Sequence, residues 1–419
     1  MKGIQDIYHS IILQSKIFYY NLRKSHIQSR IARKPHIKIV FFVLYDNMWK
    51  SDGLFRLLMD DERFEPYIIS SPYPHHPEDF SRANQSRLER CFKTKGFPYY
   101  NGYNFDTNEW FDIMAFKPDI VFYQQPYNTG YNGFKIESLW KDCLFGYVPY
   151  TYELEDSSSM VNGLLINIAW KVFLPSEFEV KKQGKYLYNK GKNLVATGSP
   201  LADSICSPLN GTEQESWKQK DLSIKRVIWA PHHSILDIDF LHYSNFLEIA
   251  DDMLALSKQY LGKVQFAFKP HPVLKRKLYK LEGWGKEKTD NYYSEWSNNS
   301  NTTLVEGEYV DLFKSSDAMI HDCSTFTAEY LFTKKPAMFL VKEDQKPHFN
   351  DFGKQCLNKH YLGNSIEDVE SFINNVVIRG MDAKKEERFD FFNNVLRPNS
   401  DKSSAQMMYD VFHHSFEIE

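Results

Sequence analysis

Three short polar groups follow apolar runs in the second half of this 419-residue chain. Pro231-His232-His233-Ser234 follows RVIWA, Pro270-His271-Pro272 follows VQFAFK, and Asp322-Cys323-Ser324-Thr325 follows AMIH. These residue types grip anions. The prolines flanking His271 restrict its backbone, so the imidazole projects from a fixed turn. As an imidazolium it can neutralise a phosphate and support a leaving group. Ser324 and Thr325 stand at the head of an expected helix, TFTAEYLF, where hydroxyls and free N–H groups cradle phosphate oxygens. His232, His233, Ser234 and Asp322 add polar groups from neighbouring run ends. Glu329, one turn into the helix, can accept hydrogen bonds from ribose hydroxyls. Singly, each reads as a surface histidine, a helix cap or a solvated carboxylate. Their recurrence after three apolar runs points to one nucleotide-phosphate site.

Elements of an α/β fold must position these groups. The run 37–45, IKIVFFVLY, suits a strand buried on both faces of a parallel sheet. Further strands are expected at 66–69, 119–123, 145–150, 171–174 and 193–197, then at 226–230, 264–269, 302–305, 318–321 and 337–341. Helical stretches fit between them, including 54–59, 176–188, 240–260, 312–315, 325–332 and 366–377. That alternation predicts doubly wound sheets, whose ligands bind beyond the carboxyl ends of the strands. The polar stretch 204–225 reads as a linker. The expected division is a basic amphipathic helix at 1–35, a Rossmann-like acceptor domain at 36–203, a Rossmann-like donor domain at 226–395 and a helical segment at 396–419.

Composition narrows the class. Aromatic residues make up 16% of the chain, which suits a packed globular protein. A net charge of -3 excludes a globally basic nucleic-acid binder. The five scattered cysteines form no CxxC pair, so neither a zinc framework nor a disulfide framework is expected, as in a cytosolic protein. No apolar run reaches the ~20 residues that span a bilayer, and the N-terminal stretch lacks the form of a secretory signal. Ile4, Ile7, Tyr8, Ile11, Ile12, Phe18 and Tyr19 recur at helical spacing ahead of Arg23, Lys24, Arg30, Arg33 and Lys34. Such a helix either lies on an anionic membrane surface or packs on the protein's own body.

The motifs resemble those of the CDP-glycerol glycerophosphotransferase family, teichoic-acid-type polymerases and primases with a GT-B fold. The similar pieces are WAP (229–231), KPHP (269–272), HDCSTFTAEYLFTKKPAMFL (321–340) and LPSEFEVKKQGKYL with ATGSPLAD (174–203). The resemblance implies two Rossmann-like domains facing a cleft, with a CDP-linked polyol phosphate donor in the second domain and an acceptor in the first. It implies CMP as leaving group, His271 and Ser324/Thr325 on the donor's phosphates, and a peripheral place on the inner membrane leaflet. The family's first-domain Trp-His-Gly-Thr segment corresponds here to YVPYTYELED (147–156), which has no histidine. Glu153, Glu155 or Asp156 then remains for the proton, or the stretch is a helix-capping acidic loop. Leu201 stands where the family's Gly-x-Pro-Arg turn has arginine.

The expected reaction moves glycerol- or ribitol-phosphate from a CDP-linked donor to a hydroxyl of a cell-surface glycan or lipid-linked acceptor, in capsule or teichoic-acid-like polymer synthesis. Glu155 or His232 takes the proton, and Asp46 and Asn47, after the first strand, face the acceptor. Two alternatives stay open: a GT-B glycosyltransferase using a CMP- or UDP-sugar, and a non-catalytic nucleotide-binding subunit of a polysaccharide assembly complex. No metal cofactor is expected. Asp237-Ile238-Asp239 reads as a capping cluster, and His75-His76 and His413-His414 as surface histidines.

Overall fold

A computed structural model describes residues 2–74, 76–127, 130–155, 162–208, 216–236, 243–342, 348–397 and 401–417, with the side chains of 2–9 and of Asn47 outside the description. His75, Asp156, Asp237 and Asp239 therefore lie outside the described residues. The chain forms two units. One comprises 1–151, 157–203 and 397–419; the other comprises 152–156 and 204–396.

In the first unit a seven-stranded sheet is built from β1 (Ile37–Val43), β2 (Phe64–Ser70), β3 (Tyr99–Tyr100), β6 (Ile120–Tyr123), β7 (Leu144–Tyr147), β8 (Lys171–Leu174) and β9 (Leu194–Ala196). A separate hairpin pairs β4 (Tyr103–Asn104) with β5 (Glu109–Trp110). The sheet order is β3-β2-β1-β6-β7-β8-β9, and all its pairings are parallel. In the second unit β10 (Lys225–Ala230), β11 (Val264–Phe268), β12 (Thr302–Leu304), β13 (Ala318–His321), β14 (Ala337–Leu340) and β15 (Tyr361–Gly363) run in the order β12-β11-β10-β13-β14-β15, again all parallel. Both orders reverse beside the first strand of the unit, the signature of a doubly wound sheet. The α/β class and two-sheet GT-B architecture are as the motifs implied. Central strands are apolar along their whole length because helices cover both faces: every residue of β11, β13 and β14 is buried.

The helix Lys2–Ala32 is present. Its buried side, Ile17, Tyr20, Ile27 and Ile31, joins the core of the first unit. Ile11, Ile12, Phe18 and Tyr19, from the face legible in the sequence, are exposed, as is Leu22. The helix thus has two apolar faces, one packed in the core of the first unit and the other exposed among the described residues. The last helix, Ser404–Phe416, returns to the first unit, where Asp203 accepts hydrogen bonds from the Ser404 and Ala405 N–H groups, both at 2.9 Å. Among the described residues no helix is long and apolar enough to cross a membrane. All five cysteines are free thiols.

Candidate functional site

In the second unit β10, β11 and β13 lie side by side and parallel, so their carboxyl ends share one edge. Ala230 pairs with His321, and the sheet order reverses between these two strands. That reversal is where open α/β sheets receive ligands. His232, His233 and Ser234 leave β10 there, His271 leaves β11, and the segment 322–325 leaves β13.

The three imidazoles form one cluster. Ring centroids are 4.2 Å apart for His232 and His233, 4.3 Å for His233 and His271, and 5.1 Å for His232 and His271. Their ligating atoms lie within 4.8 Å of one another, a spacing at which a metal ion is conceivable. The groups behind the rings favour another ligand. The Ser234 N–H donates to His232 Nδ1 (3.3 Å), and Ser234 Oγ lies 2.8 Å from the same nitrogen. The Val273 N–H donates to His271 Nδ1 (3.2 Å). A ring nitrogen that accepts carries no proton, so these bonds assign the proton of each neutral ring to Nε2. A metal-ligating histidine has the reverse pattern: one ring N–H held by a carbonyl or carboxylate, and a lone pair turned to the ion. His232 and His271 instead offer N–H groups, the complement of a phosphate oxygen.

The same geometry corrects two expectations. Burial first, and then the neighbouring His232 and His233, lower the His271 pKa to about 2. His271 is therefore a neutral N–H donor rather than a standing imidazolium. The Nδ1 of His232 accepts the Ser234 N–H, which is the arrangement of a ring that donates from Nε2 and not that of a general base.

Asp322 is turned inward. Its carboxylate accepts the His232 N–H on one oxygen and the Asn245 N–H on the other (2.7 Å), and it is 1% exposed. Burial pushes its pKa up to about 7 against those stabilising bonds. Instead of touching a donor, it ties the turn after β10 to the start of the helix Phe246–Gln259. Glu329 is buried as well and accepts the Tyr309 hydroxyl (2.7 Å), so a ribose finds this carboxylate already engaged. Ser324 begins the helix Ser324–Glu329, and its hydroxyl makes no hydrogen bond among the described residues. Thr325 Oγ1 lies 3.4 Å from Cys323 Sγ.

Glu155 was expected in the acceptor domain, yet residues 152–156 group with the second unit. Glu155 forms a β-bridge with Phe349, and Asn350 Nδ2 donates to the carbonyls of Glu153 (2.7 Å) and Glu155 (3.3 Å). The Tyr243 hydroxyl donates to Glu155 Oε1 (3.1 Å), while the Tyr243 N–H donates to Ser234 Oγ (2.8 Å). A hydrogen-bonded path thus joins Glu155 to the histidine cluster, and Oε2 has no hydrogen bond among the described residues. Tyr243 and Asn245 went unnoticed in the sequence because their stretch reads as the start of a helix; the helix begins one residue after Asn245.

In the first unit Asp46 pairs with Arg87 (3.0 Å) in the turn Asp46–Met48, which also contains Asn47. Gln124 binds the end of β1 there, its Oε1 accepting the Leu44 and Tyr45 N–H groups at 2.7 and 3.0 Å. No spacing in the sequence marks that glutamine. His413 pairs with Glu417 (2.6 Å) and lies at the surface with His414, as expected.

Residues 171–414 match the model of a family described as CDP-Glycerol:Poly(glycerophosphate) glycerophosphotransferase. No curated protein matches the chain. Among solved structures, a variant of the wall teichoic acid polymerase TagF superposes with a TM-score of 0.63 at 12% identity, covering 99% of this chain and 97% of that one. A UDP-GlcNAc 2-epimerase from Neisseria meningitidis, bound to UDP-GlcNAc, gives 0.58 at 12% identity over 90% and 99% of the two chains. The S. aureus MnaA–UDP co-structure gives 0.55 at 16% identity over 91% and 96%. At these identities the likeness establishes the fold alone.

Proposed function

We propose that this chain, which belongs to the CDP-glycerol:poly(glycerophosphate) glycerophosphotransferase family, transfers a polyol phosphate from a CDP-linked donor to an acceptor hydroxyl and releases CMP. The observation that carries this reading is the pair of Nε2–H donors, His232 and His271, at the reversal point of the second sheet. With the Ser324 hydroxyl, which has no hydrogen bond among the described residues, they form a pre-aimed set of donors for a pyrophosphate.

The acceptor hydroxyl attacks the distal phosphorus of the donor. A new oxygen–phosphorus bond forms as the bond to the bridging oxygen breaks, and that oxygen leaves on CMP. Glu155 Oε2 takes the hydroxyl proton, with the carboxylate held by Tyr243. His271, His232 and Ser324 donate to the charge that grows on the leaving phosphate. No step needs a metal at the histidine cluster, so turnover is expected to survive EDTA. Loss of activity restored by manganese would contradict this.

The acceptor is a glycan or lipid-linked polymer of the cell envelope, reached from the inner face of the membrane. The exposed stripe Ile11, Ile12, Phe18, Tyr19 and Leu22, followed by Arg23 and Arg30, supports contact with an anionic bilayer.

The deciding experiment is a donor screen with purified protein: CDP-glycerol, CDP-ribitol, CMP-sugars and UDP-sugars, each followed for binding and for nucleotide release with an acceptor. CMP from a CDP-polyol is the expected product. Turnover of a CMP- or UDP-sugar would make the chain a glycosyltransferase. CDP-polyol binding without turnover on any acceptor would make it a non-catalytic subunit.

A further inference from the structure

A cavity of about 360 Å³ opens in the first unit, well within the size range of ligand sites. Its walls include Pro118 and Asp119, just before β6, and Cys143, just before β7. It therefore lies at the amino ends of the strands, the opposite edge from the turn Asp46–Met48 and from the edge where such sheets bind substrate. Nothing in the transfer reaction uses it.

Its lining is of two kinds. Ile113, Met114 and Leu139 make an apolar wall, and Arg30, Lys34 and Lys117 bring three cations against Asp119 and Asp142. Lys34 is paired with Asp119 at 2.6 Å and Arg30 with Asp142 at 3.2 Å. The Lys117 ammonium has no hydrogen bond or ion pair among the described residues. Lys117 also holds a left-handed backbone (φ 55°) at the end of the helix Ile113–Phe116, a position that glycine fills at lower cost. An unpaired cation beside an apolar wall suits an anion that carries hydrocarbon.

The position selects the source of that anion. Tyr19, in the exposed stripe of the N-terminal helix, packs on Trp140 with centroids 5.6 Å apart, and Arg30 of the same helix pairs with Asp142. The segment 139–143 thus runs beside the helix from the stripe to the cavity. That one segment carries Trp140, against which the stripe's Tyr19 packs, and the cavity-lining Leu139, Asp142 and Cys143.

We infer that this cavity binds the phosphate headgroup of an anionic phospholipid, with Lys117 on the phosphate and Met114 and Leu139 against the glycerol and upper acyl chain. The inference rests on the membrane contact proposed above. Two measurements test them separately. Dihexanoyl phosphatidylglycerol, kept below its micelle concentration, is titrated into the full chain. Saturable binding is expected in the wild type, with a loss of about tenfold or more in both Lys117→Glu and Met114→Trp; two reversed charge units near a lipid phosphate warrant at least that. Met114→Trp fills the cavity from an exposed position without changing charge. Absence of saturable binding, or wild-type binding in Met114→Trp, overturns the site. Equally tight binding of sn-glycerol 3-phosphate overturns the lipid as the source. Sedimentation with phosphatidylglycerol vesicles then examines the stripe: a Phe18→Ser, Leu22→Ser variant is expected to lose vesicle binding while keeping the short-chain lipid. Retained vesicle binding in that variant refutes the stripe contact and leaves the cavity result standing.

Discussion

Two histidines in the second unit are useful because of what stands behind them. Each Nδ1 accepts a backbone N–H, so each ring turns a proton outward. Residue types alone disclosed that His232, His233 and His271 belong together; they could not disclose the tautomer, which depends on the turns 232–234 and 271–273. Asp322 and Glu329 turn inward for the same kind of reason, since burial and partners, which residue type does not carry, decide whether a carboxylate faces a ligand. Glu155→Gln is expected to lower turnover about 10²- to 10⁴-fold, the range of a lost general base, with CDP-glycerol affinity unchanged. Unchanged turnover would remove Glu155 from the reaction. A second residue-scale test uses His360, fully buried beneath the helix Ser324–Glu329. Its Nε2 lies 2.9 Å from the Thr327 carbonyl, and burial lowers its pKa to about 4. A histidine whose folded pKa is depressed stabilises the fold above its unfolded pKa and loses that contribution as pH falls. Between pH 7.5 and 5.5 the stability advantage of the wild type over His360→Gln should therefore shrink, by on the order of 1 kcal/mol, with the neighbouring His321, 3.3 Å away, lowered in the same direction. Urea unfolding at the two pH values reads this directly, and a difference independent of pH would contradict it.

Elements were legible where pattern and burial coincide. The apolar runs that became β1, β10, β11, β13 and β14 sit in sheet interiors, covered on both faces, and need no partner information to be recognised. β3 and β15 have two and three residues and lie at sheet edges, and β4 and β5 form a short hairpin, so none carries enough periodicity to show. The N-terminal helix taught the opposite lesson: its apolar face in the sequence is the exposed one, while Ile17, Tyr20, Ile27 and Ile31 supply the core contact. At the far end of the chain, Phe412 is fully buried among Phe122, Trp170 and Phe173, with ring centroids 5.8, 5.1 and 6.1 Å away. Phe412→Ala should cost about 3–5 kcal/mol of stability in the first unit. Denaturant unfolding checks this, and a loss under 1 kcal/mol would mean that the last helix does not anchor there.

At the scale of the whole molecule, the motifs implied two doubly wound units and the structure has both. What the linear order hid is that the chain crosses between units more than twice: 152–156 join the second unit and 397–419 return to the first. That crossing places Glu155 in the same unit as the histidines, so the proposed base and the phosphate donors share one body. The most direct test is calorimetric titration of CDP-glycerol into the wild type and into His271→Ala. Removing one of the two ring N–H donors should weaken binding at least tenfold, as expected for a lost hydrogen bond to a charged group, while the variant stays folded. Wild-type affinity in His271→Ala would contradict a pyrophosphate held at the reversal point of the second sheet.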